Sequence, residues 1–129
     1  MKKSKIIITS IVILSLICAG VYLHSRPSEK SIKGIRVNVG DDFIIMLKSN
    51  RTTGYEWQID KPLDGNAIGQ EGLKYVPSDT GLVGSGGIEE WKFSAKKSGR
   101  SKIFFKYVRP WVKSVPPVEK KVFEIDIRK

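Results

Sequence analysis

Apolar and polar residues alternate along most of the chain after residue 34. The clearest case is the last run, in which Phe123, Ile125 and Ile127 are separated by acidic residues. This period of two is typical of β-strands with one face in a core and the other in solvent. No stretch of residues 35–129 repeats apolar residues at a helical spacing over three turns. Strands are predicted in seven runs, at residues 35–39, 43–47, 55–58, 73–76, 90–95, 103–108 and 122–128.

Seven short strands separated by turns predict an all-β fold, an immunoglobulin-like antiparallel β-sandwich. Pro77 ends the fourth run. Proline lacks the N–H that a central strand donates, so we expect this strand at a sheet edge. Trp57 lies on the third strand, where sandwiches of this type often bury a tryptophan. We therefore expect Trp57 and Trp91 in the core.

A hydrophobic segment precedes the domain. Lysines at positions 2, 3 and 5 are followed by an uncharged run at residues 6–23, which as a helix would span about 27 Å. We interpret residues 1–25 as either a signal peptide or an N-terminal membrane anchor, and both place the domain outside the cytoplasm, secreted or anchored. Lipidation at Cys18 is a third option, which Ile17 disfavours because lipoprotein processing needs a small residue there. Residues 26–34 are polar and predict a linker, so the domain is assigned to residues 35–129.

The chemistry of the domain is limited, because the only cysteine and the only histidine, Cys18 and His24, both precede it. Catalysis by a Ser-His or Cys-His pair is therefore excluded there, as are ordinary zinc and copper sites. We expect no enzymatic activity, no cofactor and no metal, in a monomer that hydrophobic packing holds together. The net charge of +10 favours acidic partners. Acidic residues interrupt the basic ones throughout, so a polyanion binder is the weaker alternative and we expect no nucleic-acid partner.

Three loops of the predicted sandwich share one end of the fold. If successive strands run up and down, the second, fourth and sixth connections lie at the same end. With the strands lettered A to G, these are the BC loop (residues 50–54), the DE loop (79–87) and the FG loop (109–117). Three adjacent loops on a rigid scaffold form a surface suited to binding a partner.

Together the loops resemble the chagasin family, whose members are protein inhibitors of papain-like cysteine peptidases. The family has Asn-Pro-Thr-Thr-Gly, an aromatic residue, any residue and Trp in the BC loop, Gly-x-Gly-Gly in the DE loop and Arg-Pro-Trp in the FG loop. Each motif alone is weak, but all three occur here in the family's order and in the predicted loops. They are Asn50-Arg51-Thr52-Thr53-Gly54-Tyr55-Glu56-Trp57, Gly84-Ser85-Gly86-Gly87 and Arg109-Pro110-Trp111.

The resemblance covers residues 35–129 and implies a reversible, non-covalent inhibitor that blocks the active-site cleft. The BC loop would lie over the catalytic cysteine and histidine, with the DE and FG loops beside it. The alternative is an extracytoplasmic immunoglobulin-like adhesion or assembly module that binds a non-peptidase protein through the same loops. The residues implied to bind the peptidase are Asn50, Arg51, Thr52, Thr53, Gly54, Gly84, Ser85, Gly86, Gly87, Arg109, Pro110 and Trp111.

Several loop residues allow more than one interpretation. Arg51 stands where the family has proline, which leaves the BC loop less constrained and places a cation at its tip. The DE glycines either expose backbone for strand-like pairing with a partner or form a plain flexible turn. Leu82 and Val83 have no evident reason to be apolar unless they are buried or touch a partner. Trp111 is the strongest contact candidate, because tryptophan is enriched in binding hot spots, and its alternative role is a cap on the core.

Overall fold

A computed structural model describes residues 29–129, and the predicted signal peptide or anchor and residues 26–28 lie outside this range. Within the described range, no helix has the length and hydropathy that crossing a membrane requires. One short 3-10 helix occurs at Arg51–Thr53. Seven strands occur in residues 29–129: β1 Glu29–Asn38, β2 Asp42–Ser49, β3 Glu56–Ile59, β4 Ile68–Pro77, β5 Gly87–Ala95, β6 Gly99–Val108 and β7 Glu119–Arg128.

The strands form two sheets, in the orders β1-β7-β6-β3 and β2-β5-β4. The predicted all-β sandwich is confirmed, but the prediction that it is wholly antiparallel is wrong, because β1 and β7 pair in parallel. The other neighbouring strands pair antiparallel. The exception follows from the up-and-down order itself, since the first and seventh strands are both odd-numbered and run in the same direction.

β1 begins earlier than the sequence pattern indicates. Residues 29–32 pair with residues 120–123 of β7, and Ile32 packs against the core. The linker predicted at residues 26–34 is therefore corrected, because residues 29–34 belong to the first strand. The register shifts between Ile32 and Ile35, where Gly34 has a φ of 99°. This bulge interrupts the alternation that would have identified the longer strand.

β4 lies at an edge of the three-stranded sheet, as Pro77 predicted. The strand is longer than expected, because it begins at Ile68 rather than at residue 73. Gly69 and Gly72 break the apolar pattern of this first half. Gly69 is also tightly packed, since a Cβ there would come within 2.8 Å of the Ser94 hydroxyl.

Aromatic rings dominate the core between the sheets. Trp57 and Trp91 are 2% and 5% exposed, so the prediction that both are core residues is confirmed. The Phe105 ring makes edge contacts with both indoles, at centroid distances of 6.5 and 5.2 Å. Such edge-to-face contacts are favourable beyond the burial of apolar surface. The core gives the loops at the end of the sandwich a rigid base.

Candidate functional site

The BC, DE and FG loops meet at one end of the sandwich, as the up-and-down order predicted. The Asn50 side-chain amide donates a hydrogen bond to the Gly84 carbonyl at 3.1 Å and so joins the BC and DE loops. On the other side, the Arg109 guanidinium donates to the Thr53 carbonyl at 3.2 Å and joins the FG and BC loops. The BC loop is therefore the middle of a continuous three-loop edge.

The tip of the BC loop is a compact turn built by its own side chains. Asn50 caps the 3-10 helix, because its side-chain oxygen accepts from the Thr52 amide at 3.2 Å and from the Thr52 hydroxyl at 2.5 Å. The Thr53 hydroxyl donates to the Asn50 carbonyl at 2.6 Å. Gly54 ends the turn with a φ of 81°, a left-handed conformation that glycine adopts without strain. Residues 51–53 are all exposed, so the turn protrudes into solvent.

Trp111 is 68% exposed and absent from the core cluster, which contradicts the alternative in which it caps the core. Its benzene ring lies directly over Gly54 of the BC loop. Arg109 is held in place as well, because its guanidinium stacks 4.4 Å from the centroid of the Tyr55 ring. The FG loop thus presents an exposed indole beside the BC turn, with Pro110 between the two anchored residues.

The DE loop divides into a packed base and an exposed tip. At the base, a Cβ on Gly86 would come within 2.8 Å of the Ser49 carbonyl, and the Gly86 carbonyl accepts from the Ser78 amide. Gly87 is the first residue of β5 and pairs with Ser49. The Gly86 carbonyl and the Gly87 backbone thus have neighbours within the chain itself, and pairing of the DE glycines with a partner stays a prediction.

The exposed part of the DE loop is its apolar tip. Gly84 and Ser85 belong to this half, and the Ser85 hydroxyl donates to the Leu82 carbonyl at 2.8 Å to close the turn. Leu82 and Val83 are 72% and 106% exposed. Of the two reasons considered for their apolar character, burial is thus excluded and contact with a partner remains.

One buried polar residue at this end was missed in the sequence, namely Glu89. Its side chain is fully buried beneath the BC loop, although it carries a carboxylate. One carboxylate oxygen accepts from the Ser49 hydroxyl at 2.7 Å and from the Trp57 amide at 3.3 Å. The other accepts from the Trp91 indole N–H at 3.3 Å. Extending the alternation of β5 back from Trp91 by two residues would have placed Glu89 inside.

Arg51 does not project freely from the loop tip. Its Nε lies 3.7 Å from the Glu89 carboxylate, an ion pair rather than a hydrogen bond. Its guanidinium also lies 4.8 Å from the centroid of the Tyr75 ring on β4. The cation predicted at the loop tip is therefore held by contacts, because the Arg51 side chain folds back against the β2-β5-β4 sheet.

Comparisons with known proteins settle the family. Residues 36–127 match the model of the chagasin family of peptidase inhibitors, I42. The chain belongs to this family. It is 34% identical to chagasin from Trypanosoma cruzi over 80 residues, which cover 60% of this chain and 73% of chagasin. It is also 29% identical to amoebiasin-2 from Entamoeba histolytica, over 91% of this chain and 97% of the relative.

The structural comparison agrees. The crystal structure of the cysteine protease inhibitor EhICP2 from Entamoeba histolytica superposes with a TM-score of 0.61 at 25% identity, over 78% of this chain and 96% of that one. The resemblance inferred from the three loop motifs is confirmed. Because the family consists of peptidase inhibitors, the prediction that the protein is not an enzyme is confirmed, and the adhesion-module alternative loses its support.

Proposed function

We propose that the protein is a reversible, non-covalent inhibitor of papain-like cysteine peptidases, which binds across the active-site cleft with the BC, DE and FG loops. The cysteine class is supported by the similarity to EhICP2, which is described as a cysteine protease inhibitor. No bond is made or broken in this mode of inhibition, so neither a cofactor nor a nucleophile on the inhibitor is needed.

The observation that carries this proposal is the braced BC turn. A papain-like active site is a narrow slot with the catalytic cysteine and histidine on opposite walls, so an entering loop must be thin and must keep its shape. Thr52 and Thr53 have small side chains and Gly54 has none, and the turn is held from one side by Gly84 and from the other by Arg109. Because its conformation exists before binding, little entropy is lost on entry.

The flanking loops supply apolar contact on either side of this turn. Trp111 offers a large, exposed ring whose position the BC loop already defines. Leu82 and Val83 form the corresponding apolar tip on the DE side. Burying such side chains against the walls of a cleft provides the hydrophobic free energy that a polar turn cannot supply.

The proposed function is tested by titrating the purified full-length chain, kept in solution with a non-ionic detergent, against papain. Trypsin serves as the control, since it has a serine nucleophile in a differently shaped site. We expect inhibition of papain at a 1:1 ratio that is reversed on dilution, and no inhibition of trypsin. Equal inhibition of both enzymes, or of neither, would contradict the proposal.

We also propose that the domain acts outside the cytoplasm as a monomer, with residues 1–25 as its export signal or anchor. The support is the basic start and the uncharged run at residues 6–23. Protease added to intact spheroplasts should digest the domain while a cytoplasmic marker stays intact. Protection of both proteins would place the domain inside.

A further inference from the structure

We propose that Glu89 is a positioning residue of the inhibitory edge, and that Arg51 is locked to it so that the BC turn is held rigid without the family's proline. The inference rests on the proposed function and names the residues that shape the BC loop rather than those that touch a peptidase. Neither residue would contact the catalytic pair of the target.

Glu89 holds together the two ends of the BC loop. The Ser49 hydroxyl, at the end of β2, and the Trp57 amide, in β3, donate to the same carboxylate oxygen. These two residues belong to different sheets, so the carboxylate links the sheets at the point where the loop leaves them. Without these donors the buried carboxylate would strongly destabilise the fold. Both donors therefore stay within hydrogen-bond distance of it, and this fixes the separation of the loop ends.

Arg51 extends this anchor to the tip of the loop. It is the only cation that forms an ion pair with Glu89 in the part of the chain that the structure describes. The Tyr75 ring lies against the same guanidinium and limits its rotation. An ion pair with a fully buried carboxylate is screened less by solvent than a pair between two exposed groups. The side chain therefore restrains the backbone that carries it.

The backbone around Arg51 has a conformation that proline would also accept. Arg51 is the first residue of the 3-10 helix, the helical position that tolerates proline best. Asn50 has φ −125° and ψ 87°, outside the α region that a following proline disfavours. The arginine thus restrains, through its side-chain contacts, the same turn that a proline ring would restrain through the backbone.

The experiment compares Arg51→Met, Arg51→Lys and Arg51→Pro in the full-length chain with non-ionic detergent. Arg100→Met is the control, because it removes an exposed arginine from the opposite end of the fold. Two quantities are measured for each variant: the inhibition constant against papain, and hydrogen exchange of residues 50–55 in the free protein. Exchange reports loop rigidity even without a peptidase, so it tests the inference separately from the proposed function.

We expect Arg51→Met to weaken inhibition about 3- to 10-fold and to speed exchange in residues 50–55, while Arg100→Met changes neither. Arg51→Lys should recover part of both effects, and Arg51→Pro should restore both to near the values of the unchanged chain. In a Glu89→Gln chain, Arg51→Met should have little further effect on exchange.

Three results would overturn the inference. Weaker inhibition by Arg51→Met with unchanged exchange would show that Arg51 contacts the peptidase directly. Unchanged exchange and inhibition would show that the ion pair does not position the loop. If the Arg51→Pro variant inhibited papain as weakly as Arg51→Met and exchanged as fast in residues 50–55, arginine and proline at position 51 would not be equivalent constraints. Failure of the unchanged chain to inhibit papain would instead count against the proposed function alone.

Discussion

The indole of Trp111 lies so close over Gly54 that any side chain at position 54 would have to displace it. A Cβ added to Gly54 would be 2.6 Å from Cζ2 of the ring and still closer to Cη2. Glycine at this position thus has two roles, since it also adopts the positive φ that ends the BC turn. The contact makes the position of the FG tryptophan depend on a residue of the BC loop.

This relationship predicts the effect of Gly54→Ala. The new methyl group must displace Trp111, and the left-handed backbone adds about 1–2 kcal/mol of strain. We expect clearly weaker inhibition of papain together with lower stability. Gly40→Ala is the matched control, because Gly40 has a φ of 92° but no atom within 4 Å of the added Cβ. A loss of stability in both variants with unchanged inhibition in both would show that the Trp111 position does not matter.

Trp111 and Thr53 are expected to differ in their contributions to binding. Truncating a hot-spot tryptophan typically costs about 2–4 kcal/mol of binding free energy. Thr53→Ala removes a hydroxyl and a methyl group, and the hydroxyl's hydrogen bond to the Asn50 carbonyl stabilises the BC turn by about 0.5–1.5 kcal/mol, which is the most that its loss should cost in binding. We therefore expect Trp111→Ala to raise the inhibition constant more than Thr53→Ala does. Since Trp111 is mostly exposed, the melting temperature of the Trp111→Ala variant should stay close to that of the unchanged chain. A fall of several degrees with unchanged inhibition would remove Trp111 from the site.

Asn50 has two roles that substitution can separate. Asn50→Asp keeps the oxygen that caps the turn but replaces the amide that donates to Gly84 with a second acceptor. Asn50→Ala removes both interactions. We expect Asn50→Asp to weaken inhibition, because the BC and DE loops separate, and Asn50→Ala to weaken it further and to lower stability by about 1 kcal/mol. Equal inhibition constants for the Asp variant and the unchanged chain would show that the link to Gly84 is not needed.

Lowering the pH should reduce the free energy of unfolding, because Asp60 becomes protonated. Burial alone would raise the pKa of this carboxyl, but Lys120, at 3.0 Å, and Lys106, at 3.5 Å, outweigh burial and lower the pKa below its ordinary value of about 3.9. A carboxyl whose pKa is lower in the folded than in the unfolded chain stabilises the fold at pH values above its unfolded-state pKa. This stabilisation is lost as the pH falls through the folded-state pKa. The contribution is on the order of 0.5–1 kcal/mol.

Urea unfolding of the unchanged chain and of Asp60→Asn at pH 2 to 7 tests this effect. The two free energies of unfolding should differ near neutral pH and converge as the pH falls below 4. Asp126→Asn, which removes a more exposed carboxylate beside Arg128, is the control and should cause a smaller difference. A constant difference between the Asp60→Asn and unchanged chains over the whole range would contradict the assignment.

Much of the fold could be predicted because alternation reports directly on burial. β7 shows it from Phe123 to Ile127 and β5 from Trp91 to Ala95, and the apolar residues of both runs are core residues. The same pattern failed where glycine interrupts it, at Gly34 in β1 and at Gly69 and Gly72 in β4. Glycine has no side chain to place on either face, so a period of two cannot be followed through it.

The site was predictable in its location but not in its internal contacts. Strand parity placed the three loops together without any knowledge of their side chains. The contact of Arg51 with Glu89 joins residues far apart in the chain, and neither residue type indicates it. The close packing of Gly86 against Ser49 and of Gly87 against Tyr75 was equally hidden, because it is decided by the pairing of strands rather than by local sequence.

The central claim, that the three-loop edge occupies the peptidase cleft, is tested most directly by competition for that cleft. Binding of the full-length chain to papain is measured by calorimetry, in non-ionic detergent, before and after the cleft is filled with a covalent peptidyl inhibitor attached to the catalytic cysteine. We predict a 1:1 complex with free papain and no measurable binding to the filled enzyme. Binding of equal strength to both forms would place the contact outside the cleft and contradict the account.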